Sequence, residues 1–418
     1  MRILWVKANK ILPAHSGGDI RSYQILRRLA SIHELVFFSY YDGERDTEYE
    51  AKLAQQFPGA VCLCTGKRGL NSVARALDYL LRLAMPVPYA VSRFESGQVR
   101  EKLDTWFEGK HFDVVVCDFL DAAVNFPSRL TIPTILFQHN VESEIWRRHV
   151  MAESNPVKKL SYHVESKKMF SYEQSVVRKF HHIIAVSEHD RHLMSKWTDS
   201  GRITVVPTGV DLQQYGHGPT SGAVDPLVLF VGAMDWEPNV DAVEYFCRNI
   251  WPSIQAKVSE ARFRIVGRNP VRRVQRLASS SVEVTGSVPS IVDHLRESAV
   301  VVVPLRVGGG TRLKIYEAMA TGKAVVSTSV GAEGLDVQHG QDIVLADAPV
   351  AFAEAVTALL QDVALRRSYE RAAAALAAKY DWTAIGDKFG QVLETVAGTQ
   401  SRESSRYAEI ACVSNVRG

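Results

Sequence analysis

The 418-residue chain has no run of about 18 apolar residues, which excludes a membrane-spanning helix. Its five cysteines are few, odd in number and scattered, which excludes a disulfide framework and points to reduced thiols in a cytoplasmic compartment. Cys62 and Cys64 alternate along an expected strand, and no second pair completes a zinc site. The opening MRILWVK begins a strand without an apolar h-region or cleavage site, so no secretory leader is expected. Charge of one sign is also scarce. A net charge of +3 is too small to imply a nucleic-acid partner, although a mild basic excess in the first 200 residues suits either a solvated face or an anionic membrane surface. Phosphate signatures of the commonest kinds are missing. Gly66-Lys67, Gly109-Lys110 and Gly322-Lys323 lack the upstream glycine and following Ser/Thr of a Walker loop, and no G-x-G-x-x-G follows a strand. No cluster with metal-ligand spacing stands out, so no metal and no cofactor are expected.

With 46% hydrophobic residues the chain can bury two cores, and two alternating strand–helix series are visible. Apolar runs at Ile3–Val6, Glu34–Ser39, Gly59–Cys64, Phe112–Asp118, Thr134–Asn140, His182–Ser187 and Ile203–Asp211 read as strands of a first α/β domain over 1–212. A Gly-, Pro- and Ser-rich stretch over 213–225 reads as a linker. Leu227–Met234 restarts the alternation for a second domain over 226–380. A helix over 381–397 and a polar, mobile tail over 398–418 follow. The amphipathic Leu70–Ala84 stripe fits either a core-facing helix or an interfacial one.

The most informative stretch is Val307–Gly322, VGGGTRLKIYEAMATG. The unalternating AVVVVPL before it reads as a buried parallel strand, and the apolar spacing from Leu313 to Ala320 reads as a helix. A strand, three glycines (Gly308, Gly309, Gly310) and a helix opening at Thr311 make an anion site, because the first helical N–H groups are unpaired and the helix dipole is positive there. Arg312 and Lys314 add charge beside it. Glu317, one turn on, would repel a phosphate but can accept hydroxyl hydrogen bonds from a ribose. In the first domain, Gly17 and Gly18 lie between a strand and a helix, where an ordinary βα turn and a ligand-approaching loop are equally open readings. His139 stands at the carboxyl end of a strand, where ligand sites gather in open α/β sheets.

EAMATGKAVVST (Glu317–Thr328) and Pro207-Thr208-Gly209-Val210-Asp211 resemble motifs of retaining nucleotide-sugar glycosyltransferases of family 4 (group 1), in a bacterial GGGTR-type branch. The resemblance implies an α/β GT-B fold, two Rossmann-like parallel-sheet domains facing each other across a cleft, with the final helix crossing back to the first domain. It implies transfer of a sugar from a nucleoside diphosphate-sugar, with UDP or GDP, to a hydroxyl acceptor in glycan or lipid-linked polysaccharide assembly. A cytoplasmic location with peripheral contact at the inner membrane face goes with that role. His139 matches the family's sugar-facing histidine. Arg312 and Lys314 are expected at the leaving diphosphate, with Arg268 and Arg306 as further cations, and Val288 in the loop expected at the nucleobase. Two departures stand out. Gly309 replaces the first glutamate of the usual Glu-x(7)-Glu pair, and Ala233–Asn239 lacks the usual Arg and Lys. A non-catalytic sugar-nucleotide-binding protein and an epimerase of the same fold are the alternatives. Tight donor binding without turnover would mark the first, and leakage of free sugar without acceptor the second.

Overall fold

The computed structural model describes residues 1–14, 16–66, 72–153, 155–216, 225–307 and 312–414. They form two compact units, one of Met1–Val206 with Ile385–Gly418 and the other of Pro207–Ala384. The division falls at Pro207, ahead of the linker expected from composition.

The first unit is built on seven parallel strands: β1 (Arg2–Ala8), β2 (Glu34–Tyr41), β3 (Val61–Cys64), β4 (Val114–Asp118), β5 (Thr134–Phe137), β6 (His182–Ala185) and β7 (Ile203–Val205). Their order is β3-β2-β1-β4-β5-β6-β7, so the chain changes direction across the sheet between β1 and β4. A sheet covered on both faces must be apolar on both, which is why VVV of β4 and TILF of β5 are buried without alternation. The final helix, Trp382–Ser414, supplies part of that cover. Phe389 packs on Trp5 at 5.3 Å between ring centroids, and Asp387 accepts from Arg28 Nε at 2.7 Å. That helix continues past residue 397, the end expected from the sequence, into the stretch read as a mobile tail.

The second unit repeats the plan with six parallel strands: β8 (Leu227–Val231), β9 (Arg262–Val266), β10 (Val282–Gly286), β11 (Val300–Val303), β12 (Ala324–Ser327) and β13 (Val344–Leu345). The order β10-β9-β8-β11-β12-β13 places its change of direction between β8 and β11. Ligands of such sheets bind beyond the carboxyl ends of the strands at that point. The residues that follow β8 and β11 therefore border that position.

Two elements depart from the sequence reading. The residues after His139 form an unanticipated helix, Glu142–Ala152, ahead of the long helix Pro156–Lys179. Overlapping the start of the expected linker, Leu212–Tyr215 forms a helical turn that buries Tyr215 in the second unit, while residues 217–224 lie outside the description. The Ser72–Arg82 helix leaves Leu77, Leu80 and Leu81 exposed, so the leucine face of that stripe is not core.

Where β8 and β9 end, the backbones close to contact. A Cβ on Gly267 would stand 1.6 Å from the Gly232 carbonyl oxygen, a clash with main chain that no rotamer relieves. Gly267→Ala is expected to lower the unfolding free energy by about 3 kcal/mol, read from chemical denaturation against wild type. An unchanged midpoint would show that the two strand ends are free to separate.

Candidate active site

In the second unit the site grows from the chain after β8 and the helix Leu313–Ala320 after β11. Arg312 occupies the N-cap of that helix and is buried, with one guanidinium N–H donated to the Val330 carbonyl at 2.9 Å. Lys314, in the first turn, donates to Asn239 Oδ1 at 2.8 Å and lies 4.4 Å from the centre of the Phe230 ring. Asn239 in turn donates to the Ala233 carbonyl at 2.9 Å. Gly232 makes this arrangement feasible. A Cβ there would sit 2.6 Å from Asn239 Nδ2 and 3.0 Å from Lys314 Nζ. Burial pushes the Lys314 ammonium down to about 7, helped by the neighbouring Arg312 charge and opposed by Glu317.

Glu317 lies one turn further along the same helix. Its carboxyl is pushed up to about 7 by burial, against the stabilising Tyr215 hydrogen bond and the Lys314 charge. Tyr215 donates its hydroxyl to Glu317 and belongs to the stretch read from composition as linker. No motif pointed to it. Gly308, Gly309, Gly310 and Thr311 lie outside the described residues.

The other expected donor contacts are dispersed. Arg306 is paired through Nε with Asp241 at 3.1 Å and lies 4.5 Å from the Tyr245 ring centre. Its charge is thus shared with Asp241 before any ligand arrives. Arg268 is exposed just beyond β9, and its carbonyl accepts from Met234 N–H at 2.8 Å. Val288 is half-buried after β10, following Gly286 at φ +74°.

The first unit gathers a second polar cluster at the ends of β1, β4 and β5. Ser16 caps the Gly17–Ala30 helix by accepting from Asp19 N–H at 3.1 Å. Gly18 sits in its first turn, its would-be Cβ 3.9 Å from the His139 ring, so Gly17-Gly18 and His139 do come together. His139 is buried, with Nε2 2.7 Å from Asp118 Oδ1 and Nδ1 3.4 Å from Arg21 Nη1. The network assigns the proton to Nε2, donated to Asp118, and leaves Nδ1 to accept from Arg21. Burial holds the imidazole below its usual value despite Asp118, so the ring is neutral at pH 7.

Burial alone would raise the Asp118 carboxyl, but Lys7 and the His139 hydrogen bond outweigh it and hold it well below the usual range. Trp5 Nε1 donates to Asp118 at 3.0 Å, and Lys7 bridges Asp118 at 3.4 Å and Asp19 at 3.3 Å. A buried charge held this way is compensated on every side.

Beside this cluster lie further carboxyls, of which Glu173 and Asp121 carried no signal in the sequence. Glu173 is fully buried and accepts from Gln138 Nε2 at 2.9 Å, Glu142 N–H at 2.8 Å and Ser143 N–H at 2.9 Å. It thereby caps the Glu142–Ala152 helix from 30 residues away. Burial lifts it to about 7. Burial also lifts Glu142 to about 8, with the Glu173 charge adding to the effect, and lifts Asp121 to about 6. Glu144 is engaged locally with Arg147 and Arg148.

Two family models and several known proteins match this chain. Residues 16–214 match the family model described as Glycosyltransferase Family 4, and residues 225–362 match the one described as Glycosyl transferases group 1. A phosphatidyl-myo-inositol mannosyltransferase of Mycobacterium leprae is 26% identical over 345 residues, covering 76% of this chain and 84% of the relative. A 44.6 kDa protein of the Klebsiella pneumoniae cps region is 22% identical over 373 residues, 84% of this chain and 89% of that protein. Among solved structures, sucrose-phosphate synthase from Thermosynechococcus elongatus superposes with a TM-score of 0.70 at 15% identity, over 95% of this chain and 99% of that one. Anabaena HepE in complex with UDP and glucose superposes with a TM-score of 0.64 at 14% identity, over 94% and 100%.

The raised Glu317 value fixes the sign of a pH effect. The native carboxyl keeps its proton up to about 7 whereas the unfolded one loses it near 4.5, so wild type loses stability as pH rises between those values. Glu317→Gln keeps an acceptor for Tyr215 and has no charge to bury. Its thermal midpoint is expected to gain on wild type from pH 4.5 to pH 7 and to run parallel above. A constant difference across that range would show that Glu317 titrates normally.

Proposed function

This chain belongs to the GT-B glycosyltransferases of the group 1 and family 4 type, which use nucleotide-sugar donors, and from that premise we propose the following reaction and roles. The chain transfers a sugar from UDP- or GDP-sugar, with retention at the anomeric carbon, to a hydroxyl of a glycan or lipid-linked acceptor. The observation that carries the residue assignment is the Gly232–Asn239–Lys314–Glu317–Tyr215 chain at the switch point of the second sheet. It places a cation and a hydroxyl-accepting carboxyl on one short helix directly after the glycine loop.

In this reading the bond from sugar C1 to the diphosphate oxygen breaks, and the electron pair leaves with the diphosphate. The acceptor oxygen bonds to C1 on the same face, and its proton passes to the departing phosphate. Arg312, Lys314 and the start of the Leu313–Ala320 helix stabilise charge as it develops on the leaving group. The negative charge of an arriving diphosphate favours the protonated form of Lys314 that burial disfavours, with the proton taken up from solvent. Glu317, steadied by Tyr215, accepts the ribose hydroxyls. We assign no metal ion to the leaving group, because these donors supply the positive charge. Gly17, Gly18 and the neutral, Asp118-held His139 present a fixed polar surface to substrate in the first unit, and Arg268 and Val288 stand at the nucleotide's edge.

The HepE complex with UDP supports a uridine donor, and the mycobacterial mannosyltransferases support a phospholipid-borne acceptor. The exposed leucines of the Ser72–Arg82 helix support a peripheral membrane contact. Among the described residues no helix is long and apolar enough to cross a membrane. We place the protein at the cytoplasmic face, a placement supported by the unpaired thiols of Cys62, Cys64, Cys117 and Cys247.

Calorimetric titration with UDP- and GDP-sugars, followed by turnover and proton NMR of the product anomer, tests the assignment. Glu317→Ala is expected to weaken donor binding by roughly tenfold to a hundredfold, and Tyr215→Phe by about fivefold. Arg312→Ala is expected to lower kcat by about a hundredfold or more with little change in donor affinity. EDTA should leave turnover unchanged. Wild-type behaviour in both Glu317→Ala and Arg312→Ala would remove this site, and an inverted product would remove retention.

A further inference from the structure

The first unit carries a second concavity that the donor and His139 clusters do not use. It lies between the helices Glu142–Ala152 and Pro156–Lys179, closed at one end by the chain after the Glu188–Met194 helix, and its volume is about 490 Å³. That is the size of a small-molecule site. Val150, Phe170, Leu193 and Trp197 give it an apolar wall, with the Phe170 and Trp197 rings edge to face at 5.6 Å. Phe170 is 48% exposed, an unusual state for a phenylalanine with an aromatic partner at hand. Lys167 and Lys196 stand on the lining, both exposed, and neither makes an ion pair among the described residues. Arg147, by contrast, is already held by Glu144.

An apolar trough with uncompensated ammonium groups matches an amphiphile whose head is anionic and whose tail is hydrocarbon. The neighbouring surface says where such a molecule comes from. Tyr79 Oη and Ser161 Oγ are 2.8 Å apart, and Lys168 Nζ donates to the Arg82 carbonyl at 3.2 Å, so the Ser72–Arg82 helix lies along the same long helix. Leu80, Leu81, Val157 and Leu160 on these two helices are between 61% and 77% exposed. Leucines that face water beside lysines and a tryptophan fit the bilayer interface, where indole and lysine stems sit at headgroup level.

We infer that this groove binds one anionic phospholipid of the membrane. The phosphate sits between Lys167 and Lys196, and an acyl chain lies over Phe170, Trp197 and Leu193. The inference does not need glycosyl transfer, since lipid binding is read without donor or acceptor. A soluble acidic peptide would meet the same lysines but would not account for the exposed leucines alongside.

The experiment uses the full chain with vesicles of phosphatidylcholine, with and without phosphatidylglycerol, and separately with dihexanoyl-phosphatidylglycerol below its micelle concentration. Tryptophan emission is the readout, and Trp197→Phe assigns the signal. A saturable blue shift with the glycerol lipid, absent with its choline counterpart and lost in Trp197→Phe, is expected. In Lys167→Gln/Lys196→Gln the apparent affinity should fall roughly 25-fold, about fivefold per lysine, while donor binding stays unchanged. Leu80→Gln/Leu81→Gln should weaken vesicle binding yet keep the response to the short-chain lipid. Three results would overturn the inference: equal response to the choline lipid, an unaltered lysine double variant, or vesicle binding without any short-chain response. Saturation of the Trp197 signal by an acidic peptide but not by lipid would overturn it as well.

Discussion

The second unit turns on a side chain that is not there. Gly232 ends β8 with no Cβ, and into that space come the Asn239 amide and the Lys314 ammonium. Gly267 completes the arrangement by letting β9 end in contact with the Gly232 carbonyl. A lysine brought this close to backbone and to the Phe230 ring loses much of its hydration, which is why its proton is only loosely held near neutrality. The same helix holds Glu317, whose carboxyl is destabilised by the same burial. A cation and an anion each kept off its preferred charge state form a site that ligand charge and hydroxyls can relieve.

The first unit meets the same constraint with the opposite solution. Its strand ends bury Asp118 completely, yet Trp5, Lys7 and His139 between them satisfy the carboxylate, and the aspartate stays ionised. His139 is held between Asp118 and Arg21, and burial keeps its ring neutral despite the Asp118 charge. Within the first unit the protonatable groups are instead the carboxyls of Asp121, Glu142 and Glu173, lifted by burial around the start of one helix.

How much of this was legible in the sequence depends on the range of the interaction. β4, β5, β8, β11 and β12 are unbroken apolar runs, and a strand buried on both faces needs nothing else to be recognised. The Leu313–Ala320 helix and Glu317 were equally plain, because loop, helix and carboxyl are adjacent in the chain. The Glu142–Ala152 helix was not. Its N-terminal residues carry no side-chain cap of their own, and the group that satisfies their N–H donors is Glu173, on the following helix. Tyr215 was hidden by its neighbours, since Gly- and Ser-rich residues directly after it read as linker. For Arg306 the sequence offered a basic residue after β11 but not its partner, Asp241, which lies 65 residues away in the chain. The two-residue β13 is too short to leave a periodic signal.

The absence of Arg and Lys after β8 has a physical sense, because Lys314 is governed by burial and by its neighbours Arg312 and Glu317. Their place is taken by Asn239, a neutral side chain that accepts from Lys314 and donates to the Ala233 carbonyl, so Lys314 is positioned without a further cation beyond Arg312 beside it. Two fixed cations crowded into this space would repel Lys314 and push its proton off at still lower pH. A single lysine on a neutral hydrogen-bonded support, with Arg312 turned toward the Val330 carbonyl, is the arrangement that burial tolerates.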